Sequence, residues 1–290
     1  MAPDRAQIAL PPRAGLSSPS LPPKHPGRKL FDAALRRRGA AHPRRPAGEP
    51  WDAEHFGLHK ASAFRALDAR RRQAVLAGCA RGVLEEAYFI EKLGLAFAAK
   101  MALLADSTEE RAAHCLFAAD EAVHLAQVGA FIQEPADDTQ DGFLRWLADV
   151  IERMPAQGAR LLVQVLLEGW GISHYRSLSR ACKEPALAGV LARIARDEVL
   201  HHRAGVSLFE PERLQGRQRR EAADRVAQLF DMVRAGPIRV AQAVERAHGG
   251  LGKDAYARLF VELEARAQVE KRLALLRKLL SSAGASFLIA

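Results

Sequence analysis

Apolar residues recur along this chain at alternating steps of three and four, and they do so in one segment after another. That step keeps side chains on a single stripe of an α-helix. A first long helix is predicted over 69–105, with the seam Leu76, Cys79, Val83, Glu86, Ile90, Leu93 and Phe97. Ser107 and Glu110 form a capping box that opens a second helix, with the seam His114, Phe117, Glu121, His124, Val128 and Phe131, stopping before Pro135. A short helix over 142–153 leads to Pro155. A third long helix, 156–181, carries Leu161, Val165, Glu168, Ile172, Tyr175 and Leu178. Pro185 suits the first turn of a fourth, whose seam is Leu187, Leu191, Ile194, Glu198, His201, Gly205 and Leu208. Three more helical stretches come after it, 216–234, 237–248 and 254–281. No segment alternates with period two or has the β-branched density of a strand, so the fold class is all-α.

Composition adds little to that picture. The 290 residues are 49% hydrophobic and only 6% aromatic, which suits long helices. No uninterrupted apolar run is long enough for a membrane span; the best, 93–105, is broken by Lys100. The net charge of +9 is unevenly spread. Residues 1–50 hold ten Lys/Arg against three Asp/Glu, whereas the other 240 hold 33 against 31. The expected organisation is a disordered, basic, Pro/Arg-rich tail over 1–50, a four-helix bundle over 58–210 and a C-terminal helical extension over 211–290 packed on it. A near-neutral body with a basic tail does not describe a nucleic-acid-binding domain. Cys79, Cys115 and Cys182 lack C-x-x-C spacing, which argues against a disulfide framework or thiolate metal site; Cys79 and Cys115 read as small buried hydrophobes. A cytoplasmic, reducing compartment fits, and no secretory h-region is present.

The chemistry lies where the apolar seams are interrupted. Glu86 stands alone on the first, Glu121 and His124 share the second, Glu168 stands alone on the third, and Glu198 and His201 share the fourth. An ionised carboxylate on a core stripe is strongly destabilising unless it is paired or bound to metal, and four together repel one another. Two divalent cations would neutralise four carboxylates, and Glu-x-x-His puts a carboxylate and an imidazole on one helix face. This is the ligand set of a dinuclear site inside a four-helix bundle. Oxygen and imidazole donors without thiolate suit iron or manganese. Glu85, Glu86 and Glu91 all lie near the right level of the first helix; Glu86 is chosen because it keeps register with Val83, Ile90 and Leu93. His202 is the fallback for His201. Asp120 and Asp197 precede the two pairs, and each is expected to hold the other pair's histidine across the bundle, Asp120 with His201 and Asp197 with His124. Tyr175, two turns past Glu168, reads either as packing or as a hydrogen-bonding or redox side chain. His114 is expected to pack or to line an access path, and Trp146 and Trp170 belong to the core.

At these residues the chain resembles the ferritin-like superfamily of dimetal-carboxylate proteins over about residues 70–210. Ile194 to His201 is similar to the fourth ligand helix of ribonucleotide reductase small subunits, and Leu167-Glu168-Gly169 to their third. Val128 stands where those subunits place a radical tyrosine, and the Cys-rich module of rubrerythrins is missing. The resemblance implies O₂ or peroxide chemistry at two Fe ions, or Mn or a mixed Mn/Fe pair. The leading expectation is a diiron oxidase or oxygenase acting on a small organic substrate, with O₂ and an external electron donor as partners, a homodimer as the assembly, and neither specific nucleic acid nor membrane. The alternatives are a ferroxidase that handles iron and a metal-stabilised scaffold without turnover.

Overall fold

The computed structural model describes residues 16–22, 24–39 and 48–289. Among them there are helices and no strands. Twelve α-helical segments follow in order: α1 Gly27–Arg37, α2 Ser62–Arg65, α3 Ala69–Leu104, α4 Thr108–Gly129, α5 Gly142–Arg153, α6 Ala156–Arg160, α7 Gly169–Ala181, α8 Pro185–Leu208, α9 Gly216–Arg234, α10 Ile238–His248, α11 Lys253–Glu262 and α12 Ala265–Ser282. Between α6 and α7 the chain runs without a break through a π-helical stretch, Leu161–Glu168, so that 156–181 is one long helix with a widened middle. No helix among the described residues is long and apolar enough to cross a membrane.

The helix starts follow local rules. Asp68 caps α3 by accepting from the Arg71 amide at 2.8 Å, and Ser107 caps α4 by accepting from the Glu110 amide at 3.0 Å. The Glu110 carboxylate reaches back to the Asp106 amide, one residue before the usual partner. Pro185 occupies the first turn of α8. The tight links 105–107 and 182–184 fold α3 against α4, and α7 against α8, as two hairpins. α4 then touches α8, and the two hairpins share one core. α9 and α12 close over that core. α10 and α11 pack with α2 and the first turns of α3 around a second cluster that includes Leu58, Phe64, Val75, Leu259 and Leu263.

Several expectations are revised. Part of the 1–50 tail lies outside the described residues, but within it Gly27–Arg37 is helical and Leu16 is buried in the main core. The predicted 254–281 helix is two helices. Glu264 stands between them at φ 53 in the left-handed region, with its carboxylate 2.7 Å from Lys60 Nζ, and the bend buries Leu263. α4 ends at Gly129, about one turn short of the expected stop. Cys79 is buried, but Cys115 is exposed, because the neighbouring His114 takes the inward position and the next residue turns about 100° away. Lys100, which interrupts the apolar run of α3, is buried: its ammonium donates to the carbonyls of Ile151 and Met154 at 2.6 and 2.7 Å, where α5 ends. A cation is favourable at a helix C-terminus.

Candidate metal centre

Four helical segments bring six ligand-type side chains together. Glu91 comes from α3, Glu121 and His124 from α4, Glu168 from the last residue of the π stretch, and Glu198 and His201 from α8. Donor atoms of Glu91, Glu121, His124 and Glu198 lie within 4.8 Å of one another, and so do those of Glu121, Glu168 and His201. Glu121 belongs to both groups, which is where a bridging carboxylate would stand. Glu91, Glu121, His124, Glu198 and His201 are all buried.

Five of the six ligand positions expected from sequence therefore converge, and the sixth does not. Glu86 points away from the cluster, its side chain 32% exposed, and is ion-paired with Arg239 of α10. Glu91 takes its place. The reason lies in which stripe of α3 faces the other three helices. Val83, Glu86 and Ile90 line a cavity, whereas Ala80, Leu84, Ala87, Glu91, Ala98 and Met101 form the closely packed stripe, and Gly94 on that stripe meets the inner end of the cavity. That stripe is built largely of small residues, so a search for large apolar side chains passes over it. The repeat itself holds a usable signal. Glu91 to Glu121 is the same 30-residue interval as Glu168 to Glu198, whereas Glu86 would make it 35.

The two histidines use their ring nitrogens alike. His124 Nδ1 lies 3.1 Å from Glu91 and 3.6 Å from Glu121, while its Nε2 is 3.0 Å from Asp197. His201 Nδ1 lies 3.3 Å from Glu121 and 3.9 Å from Glu198, while its Nε2 is 3.4 Å from Asp120. Both crossed Asp–His pairs expected from sequence are present. Such a carboxylate fixes the tautomer with Nδ1 turned inward. His202, the fallback, is not in the cluster; its Nδ1 is 3.0 Å from the Gln164 carbonyl. Tyr175 packs in the main core and also donates its hydroxyl to Glu91, so both readings left open for it describe part of its surroundings. His114 is fully buried against Phe97 and Phe117. Trp146 is buried, with its indole NH 2.9 Å from Gln228, and Trp170 is a cavity wall.

Electrostatics show that the cluster is ill-suited to standing on its own. Burial pushes Glu168 up to about 8. Burial and the neighbouring Glu121 push Glu91 up to about 7, and burial with the Glu121 and Glu168 charges drives Glu198 well above the carboxylate range. Burial acts upward on Glu121 too, but His124 and His201 outweigh it and hold Glu121 low. Burial acts downward on His201, but Asp120 and Glu121 raise it to about 11. Carboxylates this close together and this deeply buried cannot all stay ionised without positive charge beside them. Glu168 Oε2, Glu198 Oε2 and His201 Nδ1 are buried without a hydrogen-bond partner, although His201 Nδ1 sits close to Glu121. Buried polar atoms are rarely left so unless something else satisfies them.

Two local features position these groups. The π turns after Arg160 widen the third helix and shift the phase of the residues beyond them, including Glu168 and Tyr175. α8 approaches this stretch at Gly205, where a Cβ would meet Gln164 Cβ at 2.3 Å. On the open side, a cavity of about 1200 Å³ reaches Gly94, Glu121, Glu168, Tyr175 and Glu198 and extends to α9, α10 and α12. No family model, no curated protein and no solved structure matches the chain.

Proposed function

We propose that this chain is a ferritin-like dimetal-carboxylate protein that holds two divalent cations and uses them, as a diiron oxidase or oxygenase, to oxidise a small organic substrate with O₂. The observation that carries the reading is the convergence of four carboxylates and two imidazoles on one mostly buried cluster, with buried oxygen atoms left without a hydrogen-bond partner. The donor set fits iron or manganese: hard carboxylates and borderline imidazoles, with no thiolate nearby. Glu91, Glu121, His124 and Glu198 would hold one cation and Glu121, Glu168 and His201 the other, Glu121 being the residue common to both groups.

Bound as divalent iron, such a pair supplies reducing electrons for O₂ and coordination positions that the protein leaves open. The chain's own residues then have definite tasks. Asp120 and Asp197 would accept from the two Nε2–H groups and so keep the Nδ1 atoms aimed inward. Tyr175 orients Glu91 through its hydroxyl. Phe117, tilted against the His201 ring at 4.4 Å, and the buried Ile194 exclude water from the closed side. The cavity on the other side gives organic molecules a route to the carboxylates, and this favours an organic substrate over Fe²⁺ as the substrate.

The test is metal analysis of purified protein with paired substitutions. Wild type and Glu86→Ala are expected to hold about two Fe or Mn per chain, and Glu91→Ala about one. Anaerobic loading with Fe²⁺ followed by O₂ should oxidise both irons of wild type together. Metal content near zero in wild type, or equal loss in the two variants, defeats the assignment of the site. Full loading without O₂ uptake defeats the assignment of the activity.

A further inference from the structure

The cavity has an inner end at the carboxylates and an outer end built by the C-terminal helices, and the two ends differ in chemistry. Between them, Val83, Ile90, Leu147, Leu167 and Trp170 make apolar walls. At the outer end Arg239 is saturated, holding both Glu86 and Asp141. Arg272 of α12 also lines the cavity, but among the described residues it makes no hydrogen bond and no ion pair; it feels the charge of Glu86 from a distance and acts in turn on the His174 ring. His174 of α7 lines the same region, its ring tilted against that of Tyr175 and, among the described residues, likewise without a hydrogen-bond partner. Away from the inner carboxylates, the lining holds four arginines (Arg81, Arg239, Arg246 and Arg272) against three acids (Glu85, Glu86 and Asp141). One positive charge is left over; Arg81, Arg246 and Arg272 all make no ion pair among the described residues, but Arg81 and Arg246 are exposed whereas Arg272 is half-buried, so Arg272 is the place for that charge to be met. Guanidinium binds carboxylate through two parallel hydrogen bonds, which gives both strength and orientation.

We propose that Arg272, assisted by His174, seats the carboxylate of an apolar monocarboxylic acid whose hydrocarbon body runs inward along Ile90 and Leu167 toward Glu121, Glu168 and Glu198. The acid would be the substrate of the site proposed above, and in that respect the inference rests on that reading; the seat itself does not need the cations. Anchoring at one end fixes which carbon reaches the inner end, so Arg272 is a specificity-determining residue and touches none of the inner carboxylates.

The experiment is calorimetric titration of octanoate and octanol into the full chain, metal-free and Mn²⁺-loaded, in wild type, Arg272→Gln and Arg272→Lys. Wild type is expected to bind octanoate about tenfold more tightly than octanol in both metal states. Arg272→Gln should keep octanol binding and lose the preference, and Arg272→Lys should restore part of it. Equal affinity for the two probes in wild type, or no binding of either, overturns the proposal. A preference seen only with Mn²⁺ and kept in Arg272→Gln also overturns it, because the carboxylate is then on the cations. If Arg272→Gln loses octanol as well, Arg272→Lys decides: a retained preference supports the seat and an absent one overturns it. A chain that binds no metal yet prefers octanoate through Arg272 sinks the dimetal reading and leaves the seat standing.

Discussion

At the scale of single residues, burial decides which charges this chain can tolerate. His114 shows the effect without a ligand role. Its ring is wholly enclosed, neither nitrogen has a hydrogen-bond partner, and burial, with Arg160 nearby, lowers its pKa to about 4 from an ordinary 6.5. Between those values the unfolded chain carries a proton that the folded chain refuses, so stability falls as pH drops from 6.5 toward 4. Going from about pH 7 to about pH 5, this one ring should account for about 2 kcal/mol of lost stability. Urea unfolding of metal-free wild type and His114→Phe at both pH values checks it: the variant should lose that much less on acidification. Equal losses would mean that the ring is charged or hydrated in the fold. The same logic explains which residues are legible in the sequence. Glu121, His124, Glu198 and His201 interrupt stripes of large apolar side chains, and the aspartates before each pair follow from the helical step. Glu91 sits on a stripe where Ala and Gly outnumber the large apolar residues, so that it does not stand out, and only the 30-residue repeat marks it.

At the scale of elements, two helices depart from regular expectations where they meet the site. Gly94 lies in the interior of α3, where glycine is less favourable than alanine by about 1 kcal/mol. A Cβ there would lie 2.9–3.1 Å from the carboxylate atoms of Glu121, closer than ordinary packing allows. Gly94→Ala should therefore have opposite effects on two measurements. The metal-free protein should unfold at no lower urea concentration than wild type, while Mn²⁺ affinity, read by competition with a chelating dye, should fall about tenfold as Glu121 is displaced. Unchanged affinity would show that Glu121 has room to move without cost. The third helix departs differently. Leu161 to Leu167 is apolar except for Gln164, so no polar residue marks the phase of the turn, and a π-helical stretch cannot be told from an α-helical one by periodicity. The bend at Glu264 is equally hidden, since neither Gly nor Pro stands there.

At the scale of the whole molecule, the six side chains come from segments that span Glu91 to His201, so whatever they hold ties both hairpins into one unit. In the unfolded chain these groups are far apart and bind cations weakly. Cation binding is therefore linked to folding, and free cation at about 100 times its dissociation constant should add about 2.7 kcal/mol to the unfolding free energy. The gain should not be uniform. α11 packs in the second core cluster with α2, α10 and α12 and contributes no donor, so its local opening is insulated from the centre. Amide exchange with and without Mn²⁺ tests this: protection should rise in α3, α4, the 156–181 helix and α8, and stay unchanged in α11. The same rise in every helix would mean that the molecule opens only as a whole. No rise in α3 would mean that Glu91 does not serve the cations, and the convergence of the four helices would need another cause.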